Sequence, residues 1–327
     1  MIITLTPNPA IDVTYRVPSL RPGASHRITD LHRRPGGKGV NAAGVLARVR
    51  GTQRGSAAVT CASAVDEASR AWWDSDLAAR GIRPETVAVA PPWRTRTSTT
   101  VVQDDGTATV LNEAGDTPDE QVWRGLVERV SGLGAAARGA TGPRAGRAVL
   151  AICGSLPGAA QDSPPGSLLE LAARFGGVGA LVVDGSGPWL TAVLATRPAL
   201  VKPNADEAAA TTGEDDPLRA AEALVRSGAR AAMVSAGADG LVLVLDDGRR
   251  WSGRPGRVLR GNPTGAGDAA TAAAASYLAQ HDPADDPEAL LRQVVAWSGA
   301  AVLHPHAGDL DPDHLSELGA LAGIERI

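Results

Sequence analysis

The sequence has little cysteine. Cys61 and Cys153 are the only two in 327 residues, far apart and without metal-ligand spacing. That excludes a disulfide-stapled scaffold and reads as two small buried residues in a reduced compartment. Long apolar runs are also missing. No stretch of about 18 apolar residues occurs, and the opening MIITLTPNPAID carries no basic segment, so neither a membrane span nor a signal peptide is expected. The expected location is cytoplasmic. Basic excess is absent too: Lys plus Arg number 32 against 36 Asp plus Glu, giving a net charge of −4 and a pI near 5.9. This leaves no electrostatic footprint for nucleic acid. Lys and Phe are scarce beside Ala, Gly, Arg and Pro, a bias that codon usage accounts for. With 43% apolar and 21% charged residues the chain is ordinary globular material, long enough to bury a large core.

What the sequence does have is concentrated in short motifs. The stretch GNPTGAGDAATAAAASYL (261–278) opens as a Gly/Pro/Thr turn and becomes almost pure alanine, so a helix is expected from about Ala266. One ionisable residue, Asp268, sits in its first turn behind Gly265 and Gly267. One reading makes Asp268 a helix cap. The other starts from the glycines, which let backbone N–H groups at a helix N-terminus approach an anion. A carboxylate there hinders plain anion binding, but it makes sense as the base that deprotonates a nucleophile attacking a phosphate.

Four apolar runs, at 147–154, 179–187, 198–204 and 231–240, end in glycine or polar clusters and alternate with helical patterns at 167–175 and 216–228. That alternation predicts a parallel sheet covered on both faces, with ligands beyond the strands' carboxyl ends. Gly154, Asp184, Asn204 and Ser235 fall at those ends. Residues 93–113 alternate with period two around an Asp-Gly turn, a β-hairpin, and residues 12–32 read as a second strand pair. Both are expected to form a small β lid. Residues 132–147 read as a helix end followed by a flexible loop. One domain spanning 1–327 is expected.

RPGGKGVNAAGVLARV (34–49) adds a second tight glycine turn before a helix, with Lys38 as a cation and Asn41 as an amide. Together with TLTPNPAIDVTY, RTRT (94–97), NEAG (112–115), CGSLPG (153–158), VDGSG (183–187), LVKPNADE (200–207), SAGADG (235–240) and NPTGAGDA (262–269), the chain resembles the PfkB-type, ribokinase-like sugar kinases over nearly its whole length. The likeness is nearest to the branch holding 1-phosphofructokinase and tagatose-6-phosphate kinase.

The resemblance implies an α/β fold with a central mostly parallel sheet, helices on both faces and a β-sheet lid. It also implies ATP as co-substrate with Mg²⁺, a possible monovalent cation, and a homodimer through the lid. The expected reaction moves the γ-phosphate to a hydroxyl of a ketohexose phosphate such as fructose 1-phosphate, fructose 6-phosphate or tagatose 6-phosphate. The alternatives are a kinase of an unphosphorylated sugar or nucleoside, or a catalytically silent sensing homologue. A dinucleotide dehydrogenase is set aside, because no G-x-G-x-x-G follows the first strand.

Position by position, the resemblance makes Asp268 the base and Gly265, Ala266 and Gly267 the backbone anion hole. Asp12, Gly36, Gly37 and Asn41 match contacts to sugar hydroxyls, although Asp12 also reads as a turn cap. Asn204 and Glu207 match an N-x-x-E element acting on the magnesium–phosphate network through water; alternatively Glu207 is a solvated acid in a helix's first turn. Lys202, Ser235, Gly237, Gly240 and Ser298 match nucleotide contacts, with Trp297 beside Ser298. A substrate phosphate would need cations remote from Asp268, and Lys38, Arg96 and Arg27 are the candidates, whereas Arg94 reads as a solvated strand residue. Three departures stand out: CASAVDEA (61–68) lacks the glycines of the family's G-x-x-G-x-D element, the lid strand Thr109–Leu111 offers no cation, and GASHRI (23–28) has His26 where the branch often has asparagine.

Overall fold

The computed structural model describes residues 1–51, 59–139, 147–178, 180–304 and 308–327. The chain opens with β1 (Ile2–Thr6), β2 (Ala10–Val17) and β3 (Asp30–Gly36), which runs straight into α1 (Lys38–Gly51). Next come β4 (Val59–Asp66), α2 (Glu67–Ala79), β5 (Arg83–Val89) and the hairpin of β6 (Arg96–Gln103) and β7 (Ala108–Asn112). Helices and strands then alternate: α3 (Glu120–Gly139), β8 (Val149–Cys153), α4 (Gly166–Gly176), β9 (Leu181–Asp184), α5 (Gly187–Leu194) and β10 (Leu200–Val201). After α6 (Ala205–Thr212) and α7 (Pro217–Arg226) come β11 (Ala231–Ser235), β12 (Leu241–Leu245) and β13 (Arg250–Arg254). The chain closes with α8 (Ala266–Leu278), α9 (Pro287–Leu303), α10 (Leu315–Leu321) and β14 (Gly323–Arg326).

Ten of these strands form one sheet in the order β14-β13-β12-β11-β10-β9-β8-β1-β4-β5. Every pairing from β11 to β5 is parallel, and β12, β13 and β14 add an antiparallel edge. The four apolar runs became β8, β9, β10 and β11. Their unbroken hydrophobicity follows from burial on both faces. In β8, Val149, Ala151 and Cys153 join the core beneath α1, α8 and α9, while Leu150 and Ile152 join the core beneath α3, α4 and α5. Both cysteines are buried and free.

The remaining four strands form a separate small sheet in the order β3-β2-β6-β7, the expected lid. The hairpin of 93–113 turns at Asp105-Gly106, where Gly106 has φ +86° and Thr107 N–H donates to Asp105 Oδ1. The other strand pair is displaced from its expected bounds of 12–32. The ladder runs from Ala10↔Gly36 to Arg16↔Asp30, so residues 18–29 are a loop and Gly36 itself is a lid residue. Of the segment 132–147, residues 132–139 belong to α3 and 140–146 lie outside the described residues.

The alanine run has a packing explanation. Residues 269–275 of α8 are all buried, against both the sheet and neighbouring helices. A helix enclosed all round by α1, α9 and the sheet has room only for small side chains. Gln293 of α9 comes close enough for its Nε2 to donate to the Ala273 carbonyl at 2.8 Å. Leucine in place of Ala273 would overpack this layer, and we expect Ala273→Leu to lower stability by about 1–3 kcal/mol, read as a lower urea midpoint at unchanged m-value.

Candidate active site

The carboxyl ends of the parallel strands converge on one carboxylate. Asp184 ends β9 with its side chain 2% exposed. Its Oδ1 accepts from Lys38 Nζ at 2.9 Å, and its Oδ2 lies 3.2 Å from Lys202 Nζ and accepts from Thr271 Oγ1 at 2.7 Å. Burial alone would raise the Asp184 pKa, but the two ammonium groups and these hydrogen bonds hold it well below the usual carboxylate range. Lys38 and Lys202 are the only lysines in the chain. Lys38 also donates to Glu207 Oε1 at 2.9 Å, and the two carboxylates outweigh burial and push its pKa up.

Glu207 and Asn204 are fixed by a capping box at the start of α6. Asn204 Oδ1 accepts the Glu207 N–H at 2.8 Å, and Glu207 Oε2 accepts the Asn204 N–H at 3.0 Å. Glu207 is therefore a first-turn acid, yet it is not simply solvated: its other oxygen holds Lys38.

α8 starts at Gly265, whose φ of +92° is left-handed and glycine-suited. No side chain caps this helix end, so Asp268 is not the cap. It is buried, and its Oδ2 accepts from Asn41 Nδ2 at 2.9 Å. Burial raises its pKa to about 6, Asp184 adds to the rise, and Asn41, Lys38 and Lys202 oppose it. Of the expected anion hole, the Ala266 N–H is partly spent on the Pro263 carbonyl at 3.2 Å. The Gly267 and Asp268 amides belong to the turn whose N–H groups lack intrahelical acceptors. A Cβ on Gly267 would stand 3.7 Å from Lys202 Nζ, so the ammonium lies directly beside these amides.

Asp12 lies on β2, opposite Arg34 of β3 and Ser98 of β6. Its carboxylate covers Gly36 so closely that a Cβ there would coincide with it. Gly37, φ +107°, turns the lid strand into α1 and thereby aims Lys38 and Asn41 inward. Burial raises the Asp12 pKa against the pull of Arg34, Arg96 and Arg80. Arg96 bonds backbone carbonyls, Nε and Nη2 to Asn8 O at 3.4 Å and Nη1 to Glu113 O at 3.3 Å. Arg94 is solvent-exposed and pairs with Glu113 at 2.6 Å.

Two of the expected phosphate cations sit elsewhere. The structure places Lys38 with Asp184 and Glu207, on the Asp268 side of the cleft and not remote from it. Arg27 is exposed in the loop beyond Arg16↔Asp30, at the end of the lid away from Gly36. Ser235, Gly237 and Gly240 follow one another around the end of β11, where Asn204 bridges to Ser235. Ser298 lies on α9, whose Val302 carbonyl receives the Asn262 N–H of the segment entering Gly265. Trp297 is buried in the core. Sequence reasoning gave no role to Asp184, Thr271, Arg34 or Arg80. Asp184 stood at a strand end in VDGSG, but nothing local in the sequence joined it to Lys38.

A buried carboxylate beside a glycine-turned helix N-terminus and two lysines, at the strand ends of a doubly covered sheet, is a set of groups suited to phosphoryl transfer. The chain belongs to the pfkB family of carbohydrate kinases, whose model matches residues 145–314. The 1-phosphofructokinase of Xanthomonas campestris pv. campestris is 32% identical over 334 residues, covering 98% of this chain and 97% of that protein. The 1-phosphofructokinase of Rhodobacter capsulatus is 33% identical and covers 74% of this chain and 73% of its own length. Among solved structures, phosphofructokinase-2 from Escherichia coli in complex with potassium superposes with a TM-score of 0.80 at 27% identity, covering 98% of both chains. This chain is an ATP-dependent sugar kinase.

The raised pKa of Asp268 has a consequence for stability. A carboxyl lifted from 3.8 to about 6 is disfavoured as the anion in the folded state. Its contribution is therefore fully present below pH 3.8 and lost as pH climbs through 6. About two pH units correspond to roughly 3 kcal/mol as an upper figure. Asp268→Asn should thus raise the melting temperature above that of the unaltered protein at pH 7.5, with the gain shrinking toward pH 4.5, as followed by circular dichroism.

Proposed function

We propose that the enzyme transfers the γ-phosphate of ATP to a hydroxyl of a ketohexose phosphate, with fructose 1-phosphate, fructose 6-phosphate and tagatose 6-phosphate as the candidates and Asp268 as the general base. The observation that carries this reading is the buried Asp268 carboxylate, oriented by Asn41 and lifted to about 6, beside the amides of the α8 turn. A base with that pKa is largely ionised at neutral pH yet still accepts a proton readily. Asp268 takes the proton from the sugar hydroxyl, and the hydroxyl oxygen bonds to the γ-phosphorus. The bond to the β–γ bridging oxygen breaks, ADP leaves, and the proton remains on Asp268. The Gly267 and Asp268 amides and Lys202 offset the charge of the transferring group.

The relatives support a phosphorylated acceptor: two are 1-phosphofructokinases, and Escherichia coli phosphofructokinase-2 is solved with fructose-6-phosphate. Among the described residues no group of three or more His, Cys, Asp or Glu could cage a metal. Mg²⁺ fits such a site, because it keeps its waters and rides on substrate phosphates with one or two carboxylates. Asp184 and Glu207, which hold a cation between them in the form of the Lys38 ammonium, and Asn204 are the oxygens that would receive it. Magnesium would supply neutralisation of the nucleotide's phosphates. The potassium in the solved phosphofructokinase-2 supports a monovalent cation here as well.

Ile28, Leu31, Val110 and Leu111 are the exposed large hydrophobics of the lid region, which supports a homodimer through that sheet. Among the described residues no helix is long and apolar enough to cross a membrane.

The test is ATP consumption with the three ketohexose phosphates and their unphosphorylated sugars. We expect kcat/KM to be highest with one of the phosphates and to fall about tenfold per pH unit below about pH 6. Asp268→Asn should lower kcat by about 10²- to 10⁴-fold with little change in ATP affinity. Near-normal turnover in that variant would remove Asp268 from the chemistry. Leu111→Asp should shift the sedimentation of the protein toward the monomer at micromolar concentration.

A further inference from the structure

The alanine run of α8 is interrupted by a single hydroxyl. Residues 269–275 are six alanines and Thr271, all buried. The enclosure that suits alanine would accept it at 271 too, and threonine is the poorer helix former. A buried hydroxyl is unfavourable unless it is hydrogen-bonded. Thr271 Oγ1 lies 2.7 Å from Asp184 Oδ2 and 3.1 Å from the Gly267 carbonyl one turn earlier. It has one proton to give, and the shorter contact to the ionised carboxylate takes it. Thr271 stands four residues after Gly267 and three after Asp268, so it shares a helix face with both. The hydroxyl therefore ties the underside of the amide turn to the carboxylate that ends β9.

This tie bears on how the two lysines are held. Lys38 meets one oxygen of Asp184 and one of Glu207, both at 2.9 Å. Lys202, among the described residues, meets a single carboxylate oxygen, Asp184 Oδ2, at the longer distance of 3.2 Å, and shares it with Thr271. Cys153, opposite Asp184 on β8 and projecting from the same sheet face, offers only a thiol, which is a weak donor. Among the described residues Thr271 is the one neutral side chain that donates to Asp184. An oxygen that already accepts a short hydrogen bond attracts a second donor less strongly. Left to Lys202 alone in a buried site, Oδ2 would draw the ammonium further into the pair. As the side chains stand, a Cβ on Gly267 would be 3.7 Å from Lys202 Nζ, so the ammonium lies beside the amide turn.

We propose that Thr271 is a positioning residue for phosphoryl transfer: its hydroxyl occupies part of Asp184 Oδ2, so that the Lys202 ammonium stays beside the Gly267 and Asp268 amides with N–H groups left for the transferring phosphate. This rests on the reading in which Lys202 and those amides offset the charge of that group. An ammonium has three N–H donors, so serving Asp184 with one leaves two. Thr271 is 1% exposed and touches neither substrate; it acts through Lys202. Asp268 has its own support from Asn41, on α1, so loss of the Thr271 hydroxyl is felt at Lys202 before it is felt at the base.

The experiment measures kcat and KM for ATP and the preferred sugar in Thr271→Val, Thr271→Ser, Lys202→Met and the combination of Thr271→Val with Lys202→Met. Assays run at a temperature where circular dichroism shows each variant folded. Thr271→Val keeps the shape and removes the donor; it should lower kcat by about 10- to 100-fold, as for a weakened charged hydrogen bond, with the sugar KM within about twofold. Thr271→Ser, which keeps the donor, should bring kcat back to within about threefold of the unaltered enzyme. Lys202→Met should lower kcat at least as far, and in that background the valine change should cost less than about twofold more. If Thr271→Val lowers only the melting temperature while Lys202→Met is impaired, Thr271 is purely structural and the proposal is overturned, with the kinase reading intact. An undiminished valine effect in the Lys202→Met background also overturns it, since Thr271 then does not act through Lys202. Near-normal kcat in Lys202→Met overturns the role of Lys202 together with the proposal. Should the valine variant not fold, Thr271→Cys decides, because a weaker donor of similar size should lower kcat in the same selective way. Should Lys202→Met not fold, the serine recovery decides: kcat no higher with serine than with valine or cysteine overturns the proposal.

Discussion

The site depends on a carboxylate that never meets water. Asp184 is buried at the end of β9, and an isolated charge there would be prohibitively unfavourable. Lys38, Lys202 and Thr271 make it tolerable, and in doing so they tie together four separate parts of the chain: the β3–α1 joint, the end of β10, the second turn of α8 and β9 itself. Through Lys38 the network reaches Glu207 and the capped start of α6. Its negative charge also disfavours ionisation of Asp268. One interaction thus fixes both lysines of the cleft and adds to the rise that burial gives the Asp268 pKa.

The glycines complete that arrangement by letting backbone and charged atoms approach. Gly36 makes room for the Asp12 carboxylate and Gly44 for the Arg80 guanidinium, and Gly265 turns the chain into α8, whose first turn holds the Gly267 and Asp268 amides. The lid strand β3 runs into α1 with only Gly37 between them, so the placement of the lid and that of Lys38 and Asn41 are coupled through the backbone.

Much of this was legible in the residues. The apolar runs that became β8 to β11 announced a two-sided sheet, because only strands buried on both faces dispense with alternation. The Asp-Gly turn marked the lid hairpin, and the glycines around Ala266 marked the amide-lined helix start. Long-range pairing was what the sequence could not convey. Lys38 follows a glycine turn next to the lid, and nothing local says that Asp184 and Glu207, far along the chain, will claim it. Arg34 looked like one of two interchangeable arginines in HRRPGG. Only the register, which opposes it to Asp12 and sends Arg33 to Trp72, separates them. The alanines of α8 read as helix propensity, although their real reason is enclosure.

The confinement of lysine to the catalytic cleft also shapes the outside of the molecule. Every other permanent side-chain cation is an arginine, so the outer surface carries positive charge but no primary side-chain amines. Lys202 is sealed in, and Lys38 keeps 37% of its side chain accessible. Lys38 is held as the ammonium by Asp184 and Glu207, so a reagent that needs a free amine finds little side-chain amine to attack. Amine chemistry, usually the least selective way to modify a protein, would here leave the side chains almost untouched.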